Sequence, residues 1–335
     1  MKTLYITLIA FLFSFSFFAQ SNWRQVNTNT QERINSVIFE DSLVGYATAG
    51  NQILKSTDAG ENWVVFHQDT TLYAYSSIAF YQDSLFAIGI KVSTFEKEIC
   101  LLDKVTKNVR GIINATFLNN IIRKTSSVSD AVWIQSDSEG LVQFKNGLFT
   151  IISSDSKYFN NKGSNIIIAS NEKVYTSIDN GQIWDTLSFP FYTYPISDSY
   201  FKGGDTIILS YGGFPTFFIN SFDRGVSWSS PNNRLSLSSL FYLNSQKLFG
   251  VKYNRPDAFV YISSDGGINY SIDTLDLNKS LNGVYHFSSK LAFVYGEDGL
   301  LFKSINLGGL VGINENLNFK ESDFTIFPNP SQDYM

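Results

Sequence analysis

The pattern Ser-x-Asp-x-Gly-x-x-Trp constrains this chain more than any other feature, because it recurs. Ser56, Asp58, Gly60 and Trp63 form one copy. Ser177, Asp179, Gly181 and Trp184 form a second, and Ser221, Asp223, Gly225 and Trp228 a third. Ser263, Asp265, Gly267 and Tyr270 make a copy with Tyr for Trp, and Ser304-Ile305-Asn306-Leu307-Gly308 is a degraded one. The serines of the last four copies are 44, 42 and 41 residues apart, the length of a four-stranded propeller blade. The 121 residues from Ser56 to Ser177 then hold about three units, two of them without a clean box.

Each copy follows a β-rich run, such as Gln52-Ile53-Leu54-Lys55 or Lys173-Val174-Tyr175-Thr176, so it occupies a hairpin turn. Asp is short enough to accept hydrogen bonds from N–H groups two residues on. Gly takes the positive φ of a tight turn. The aromatic returns the chain into a strand and is expected to pack against its own blade. In the first blade, Val44-Gly45-Tyr46-Ala47 and Ile53-Leu54-Lys55 read as inner and middle strands. Asp103 and Asn146-Gly147 fall where the two missing boxes are due, and Asn-Gly is a strong hairpin signal. With Asp58, Asp103, Asn146, Asp179, Asp223, Asp265 and Asn306 as turn markers, the sequence predicts an all-β, seven-bladed propeller over residues 21–315. The short third interval leaves six or eight blades open. No useful length shows a helical period.

Trp23-Arg24-Gln25-Val26-Asn27 looks like a strand that follows a box aromatic, yet no box precedes it. The box at Ser304 has the reverse problem. We therefore expect the N-terminal strand to complete the last blade, with Trp23 as its aromatic, because closure removes sheet edges that invite aggregation.

The boxes resemble the Asp-box, or BNR, repeat of sialidases, sortilin-type receptors, xyloglucan hydrolases and photosystem-assembly propellers, over most of the chain. The resemblance implies a structural role for the box residues, at the blade periphery and away from the ligand face. Residues 1–20 read as a signal peptide, with Lys2, an apolar run from Leu4 to Phe18 and the small Ala19. Its cleavage would leave no stable membrane span. Residues 316–322 read as a linker. Residues 323–335 contain Pro328-Asn329-Pro330 after an apolar run. This resembles the opening of the C-terminal sorting domain of the type IX secretion system of Bacteroidota, cut short five residues after Pro330. The resemblance implies passage through a Gram-negative periplasm, a secreted or cell-surface destination, and the secretion machinery as a partner.

The formal net charge is −5, and removal of residues 1–20 takes only Lys2, leaving −6. That balance argues against nucleic acid or an anionic membrane as partner. It also gives no sign of the basic top face of photosystem-assembly propellers. The lone Cys100 excludes an intrachain disulfide. His67 and His286 lack zinc-ligand spacing, so no metal or other cofactor is expected. The acidic turns Asp137–Gly140 and Gly296–Gly299 lack the ligand count of a calcium loop. No G-x-S-x-G, P-loop or dinucleotide fingerprint occurs.

Sialidases clamp a carboxylate with three arginines, but Arg24 and Arg33 lack the motif that carries the first of these. Xyloglucanases pair two carboxylates across tandem propellers. No catalytic residue is assigned. The expectation is a monomeric, non-catalytic propeller that binds protein or glycan through loops on one face. The alternative is a carbohydrate-active hydrolase. Tyr192, Tyr194, Tyr200, Tyr211 and Phe214 could stack on a ligand or simply pack the blades. Asp41-Ser42-Leu43, Asp83-Ser84-Leu85, Asp185-Thr186-Leu187, Asp205-Thr206-Ile207 and Asp273-Thr274-Leu275 resemble the O-glycosylation acceptor of Bacteroidota, and equally suit a turn residue entering a strand.

Overall fold

A computed structural model describes residues 22–307, apart from 119–120, 171–172, 189–195, 202–204, 212–216, 230–236, 238, 245, 253–256 and 289–290. The signal-peptide segment, the linker and Pro328-Asn329-Pro330 lie outside the described residues, as do Tyr192, Tyr194 and Phe214. The described residues form strands and turns with no helix long and apolar enough to cross a membrane.

The chain lays down antiparallel sheets in sequence order. The first holds β2 (Ile34–Phe39), β3 (Gly45–Ala49), β4 (Gln52–Ser56) and β5 (Val64–Gln68). The second holds β6 (Leu72–Tyr81), β7 (Ser84–Lys91), β8 (Lys97–Asp103) and β9 (Val109–Asn114). The third holds β10 (Ile122–Val128), β11 (Ala131–Ser136), β12 (Gly140–Lys145) and β13 (Leu148–Ser153). The fourth holds β14 (Tyr158–Lys162), β15 (Asn165–Ala169), β16 (Lys173–Ser177) and β17 (Asp185–Ser188).

Next come β18 (Ile196–Phe201), β19 (Ile207–Tyr211) and β20 (Phe217–Ser221), a sheet with three strands among the described residues. A further four-stranded sheet holds β21 (Ser239–Tyr242), β22 (Leu248–Val251), β23 (Asp257–Ser263) and β24 (Ser271–Leu277). The last holds β25 (Leu281–Ser288), β26 (Leu291–Gly296) and β27 (Leu301–Ser304), with β1 (Arg24–Gln25) as its outer strand. The first strand of each sheet touches the first strand of the next, and β25 returns to β2, so the ring closes.

The molecule is an all-β propeller with six complete four-stranded blades, where the turn markers led to an expectation of seven with six left open. The three-stranded sheet β18–β20 lies in the ring between the sheets β14–β17 and β21–β24. In the first blade the axial strand is β2, so Val44–Ala47, read from sequence as the inner strand, belongs to the second position. Gly45–Ala49 is buried at every residue, whereas β2 carries polar positions. The more apolar strand was taken for the inner one.

The boxes fold alike because each satisfies its own turn. The Ser56 hydroxyl donates to Asp58 Oδ1 (2.8 Å) and accepts the Gly60 N–H (2.9 Å). Asp58 Oδ1 also accepts the N–H groups of Glu61 (3.1 Å) and Asn62 (2.9 Å). Ser177 and Asp179 repeat these bonds with Gly181, Gln182 and Ile183. Ser221 and Asp223, and Ser263 and Asp265, do so in their own turns. The residue before each box glycine takes positive φ too, as at Ala59 (61°), Asn180 (61°) and Arg224 (58°). Its N–H donates across the blade to the carbonyl of Leu43, Ser164 or Asp205.

Burial opposes ionisation of Asp58, but hydrogen bonds from Asn62, Ser56 and Glu61 outweigh it and hold the carboxyl at about 2. Bonds from the Ser227 hydroxyl and N–H hold Asp223 at about 2.

The glycines have a second duty. A Cβ on Gly60 would lie 2.5 Å from Phe293 of the last blade, and one on Gly181 2.8 Å from Trp133 of the preceding blade. The turn therefore presses directly on its neighbour. The aromatics share that seam instead of packing on their own blade alone. Trp63 is fully buried and meets both Phe39 (6.0 Å, edge-on) and Phe293 (6.4 Å, edge-on). Trp184 lies 6.3 Å from Trp133.

Ring closure uses a divided box. Ser304 donates to Asn306 Oδ1 (2.9 Å), and Asn306 Nδ2 donates to Asn22 Oδ1 (2.9 Å), across 284 residues of sequence. In intact boxes the residue before the aromatic caps the Asp, as Asn62 does for Asp58 (2.7 Å) and Asn269 for Asp265 (2.8 Å). Asn22 and Trp23 fill these last two box positions from the other end of the chain. Trp23 is buried in the cluster that holds Phe302 and Val294 and lies 5.3 Å from Phe249. β1 pairs with β27 through Arg24 opposite Lys303 and Gln25 opposite Phe302. Glu61 of the first box takes Lys303 (2.6 Å) and Arg24 together.

Two outcomes follow for stability. Ser56→Ala leaves the buried Gly60 N–H without its acceptor and should cost about 1–3 kcal/mol in urea unfolding. Trp23→Ala should cost about 3–5 kcal/mol; an unchanged unfolding midpoint would remove Trp23 from the closure.

Candidate functional site

A ring of sheets leaves one unpaired edge on every innermost strand, all facing a common axis. Unpaired N–H and C=O groups are costly when buried and adhesive when exposed. Here side chains of the neighbouring blade take them up. Asn35 Nδ2 on β2 donates to the Tyr75 carbonyl of β6 (2.9 Å). On β10, the Ser127 hydroxyl donates to the Phe80 carbonyl (2.7 Å) and accepts the Phe80 N–H (3.0 Å), while Thr125 donates to the Ile78 carbonyl (3.2 Å). From β14, Asn161 reaches the Ser127 carbonyl (3.3 Å) and Asn160 the Ser199 carbonyl of β18 (3.2 Å). On β21, Ser239 accepts the Val284 N–H (3.4 Å). From β25, Asn282 reaches the Ile34 carbonyl (3.3 Å), and the Tyr285 hydroxyl accepts the Phe39 N–H (2.9 Å).

These strands enclose an axial cavity of about 1950 Å³. Among the described residues its wall carries Arg33, Arg123, Lys124, Lys157 and Lys162 and two carboxylates, Glu32 and Asp137. The acidic total charge gave no hint of this concentration. Arg33, Arg123 and Lys157 stand at the beginnings of β2, β10 and β14. The boxes follow the third strand of a blade and bond to the loop that ends the first, so these cations lie at the opposite end of the ring. Arg123 is already engaged: its Nε and Nη2 donate to the two oxygens of Asp137 at 2.6 and 2.7 Å.

Toward the other end, Phe241 meets both an imidazole and an ammonium group. The His286 ring stacks on it at 4.0 Å and 17°, and Lys162 Nζ lies 5.5 Å from its centroid. Burial, helped by the Lys162 charge, lowers the His286 pKa to about 3, so the imidazole is neutral at ordinary pH. Among the described residues its Nε2 has no hydrogen-bond partner. His67 sits in the outer strand β5 and its pKa is also lowered by burial. The two histidines therefore lie on different strands of different blades and share no site.

The remaining sequence candidates spread out. Tyr200 and Tyr211 fall in β18 and β19. Phe201, one residue from Tyr200, lines the cavity. Among the described residues no group of three or more His, Cys, Asp or Glu is placed to hold a metal ion. In the Asp-Ser/Thr triplets, Ser42, Thr186 and Thr274 are exposed and Thr206 half-buried, whereas Ser84 is buried and its hydroxyl accepts a bond from Arg110 (3.2 Å). Only some of the five could meet a modifying enzyme. The axial polar ladder and the cations were not found from sequence. No motif marks them, because residues 33, 123, 124, 157 and 162 converge only through the ring.

No protein-family model matches the sequence, and no curated protein matches it. Solved structures do match in shape. YCF48 from Cyanidioschyzon merolae superposes with a TM-score of 0.61 at 15% identity, over 84% of this chain and 98% of that one. The GH74 xyloglucanase from Xanthomonas campestris gives 0.59 at 12%, over 86% of this chain and 54% of that one. The extracellular domain of a putative one-component system from B. thetaiotaomicron gives 0.61 at 8%, over 84% and 40%. At these identities the likeness establishes the propeller fold.

The unfolded chain protonates His286 near pH 6.5, whereas the folded chain does so only near pH 3. The unfolded state therefore binds more protons in between, and stability falls as pH drops through that window. His286→Phe, which keeps the stack on Phe241, should flatten the decline in urea midpoint between pH 6.5 and 4. A variant that loses stability with acid as steeply as the parent would contradict this assignment.

Proposed function

We propose that this protein is a non-catalytic binding propeller of the cell surface or exterior, carried there by a signal peptide and the type IX system, with a protein or glycan held in the axial cavity. The observation that carries the binding reading is the cavity wall. Among the described residues it presents amides, hydroxyls, aromatic rings and five cationic side chains, but two carboxylates, of which Asp137 is spanned by Arg123. Glycoside hydrolysis needs two carboxyl groups, one protonated and one free, about 5–10 Å apart. A carboxylate held in a two-point ion pair is poorly suited to either part. The GH74 xyloglucanase chain is nearly twice as long as the portion matched, and the remainder has no counterpart among the described residues. The extracellular match from B. thetaiotaomicron is compatible with an exported destination.

Two measurements test the proposal. A panel of chromogenic glycosides should show no turnover above buffer, while a glycan array or surface pull-down should show saturable binding; hydrolysis tenfold above buffer would replace the binding reading by the hydrolase alternative. N-terminal sequencing of protein recovered outside a native host's cells should begin at Ser21.

A further inference from the structure

The first described residues hold the last wedge of the ring shut. Trp23 is buried between the last two sheets, in the cluster that takes Phe249 and Val260 from one and Val294 and Phe302 from the other. Its neighbour Asn22 binds on both sides. On the last sheet, Asn22 Oδ1 accepts a bond from Asn306 Nδ2 (2.9 Å). On the sheet before it, the Asn22 N–H donates to the carboxylate of Asp273, in the outer strand β24.

That bond leaves Asp273 half answered. The residue is half-buried, and its Oδ2 is shut off from solvent without a hydrogen-bond partner. Among the described residues no Lys, Arg or His forms an ion pair with it. Burial raises its pKa, and the Asn22 bond opposes the rise. A carboxylate oxygen withdrawn from water and left bare costs free energy, which a cation or a further donor removes. A metal ion does not suit the place, because among the described residues no group of three or more His, Cys, Asp or Glu gathers to hold one.

The chain itself supplies a cation. Signal cleavage after Gln20 makes Ser21 the first residue and turns its nitrogen from a neutral amide into an ammonium. Successive backbone nitrogens lie about 3–4 Å apart by standard bond lengths. The nitrogen that already touches Asp273 is that of Asn22, so the new charge arises one residue from it.

We infer that Asp273 is the counter-charge for the amino terminus that leader removal exposes: the Ser21 α-ammonium pairs with its carboxylate and latches the N-terminal strand across the last two sheets. This rests on the signal-peptide reading above. It makes ring closure complete only in the processed chain. It also gives the triplet Asp273-Thr274-Leu275 a structural reason for its Asp.

Acylation of the α-amine by a limiting reagent at near-neutral pH, read by mass spectrometry of the N-terminal peptide, tests the pair. The protein is residues 21–335, released from a cleavable fusion with Ser21 first. An opposite charge within about 4–6 Å favours the protonated, unreactive ammonium. Asp273→Asn should therefore label about tenfold faster than the parent, and the two should label alike in strong urea. Gly-Gly placed ahead of Ser21 moves the amine away with Asp273 intact. That chain should label as fast as the unfolded one, and it serves if Asp273→Asn fails to fold. Acetylation of Ser21 should lower the urea midpoint of the parent and leave that of Asp273→Asn unchanged.

Equal labelling of the parent and the Gly-Gly chain, or an equal effect of acetylation in the parent and Asp273→Asn, would overturn the contact. Native protein that begins at a residue other than Ser21 would overturn the cleavage reading and the native latch with it, while labelling of the Ser21 chain still judges Asp273 by itself.

Discussion

A circular array of sheets cannot avoid its axis. Every innermost strand presents an edge there that has no further strand to pair with, and the rest of this structure follows from how those edges are satisfied. Asn, Ser, Thr and Tyr side chains from one blade bond to the backbone of the next, as Ser127 does at both polar groups of Phe80. Each such bond contributes about 1 kcal/mol net. Its larger effect is to fix the angle between blades, since a hydroxyl or amide reaches a particular carbonyl only in one relative placement. The apolar clusters then fill the wedges between blades, and every one of them draws residues from two neighbouring sheets. The polar ladder at the axis and the apolar seams outside it thus enforce the same geometry from two radii.

The opposite rim is governed by the box. Its Ser and Asp satisfy a turn that would otherwise leave several N–H groups bare, and its glycine permits the next blade to approach within contact distance. The low pKa of Asp58 and Asp223 records how completely the carboxylates are engaged. Because the boxes lie at the opposite end of the ring from Arg33, Arg123 and Lys157, the rim that sets blade spacing is separated from the one that carries these cations. Loops at the cationic end can vary without touching the turns that hold the fold.

The box and the fold class were legible in the sequence for a local reason: Ser, Asp, Gly and the aromatic all act within eight residues. Trp23 was legible because a strand without a box and a box without a strand call for each other. The innermost strands were not. In β10, Ile122-Arg123-Lys124-Thr125-Ser126-Ser127-Val128 shows no alternation of apolar and polar residues, because its hydroxyls answer to the backbone of another blade. The same reason misplaced the inner strand of the first blade. The clustering of cations in the cavity wall was hidden by averaging, since four of the five described there come from β10, β14 and their approaches, 90 or more residues from Arg33. Net charge reports the whole surface and says nothing of where like charges gather.

The divided box also sets an order of events during synthesis. Asn22 and Trp23 leave the ribosome first and cannot find Asn306 until 284 residues later. By loop-closure entropy, joining ends this far apart costs only about 1.7 kcal/mol more than joining two strands one blade apart, less than the burial of one tryptophan returns. The penalty is therefore one of time, not of free energy. Until translation passes Ser304, β1 has no strand to pair with and the first and last wedges stay open to solvent. A nascent chain of this protein is a bent ribbon, and only the finished polypeptide can become a wheel.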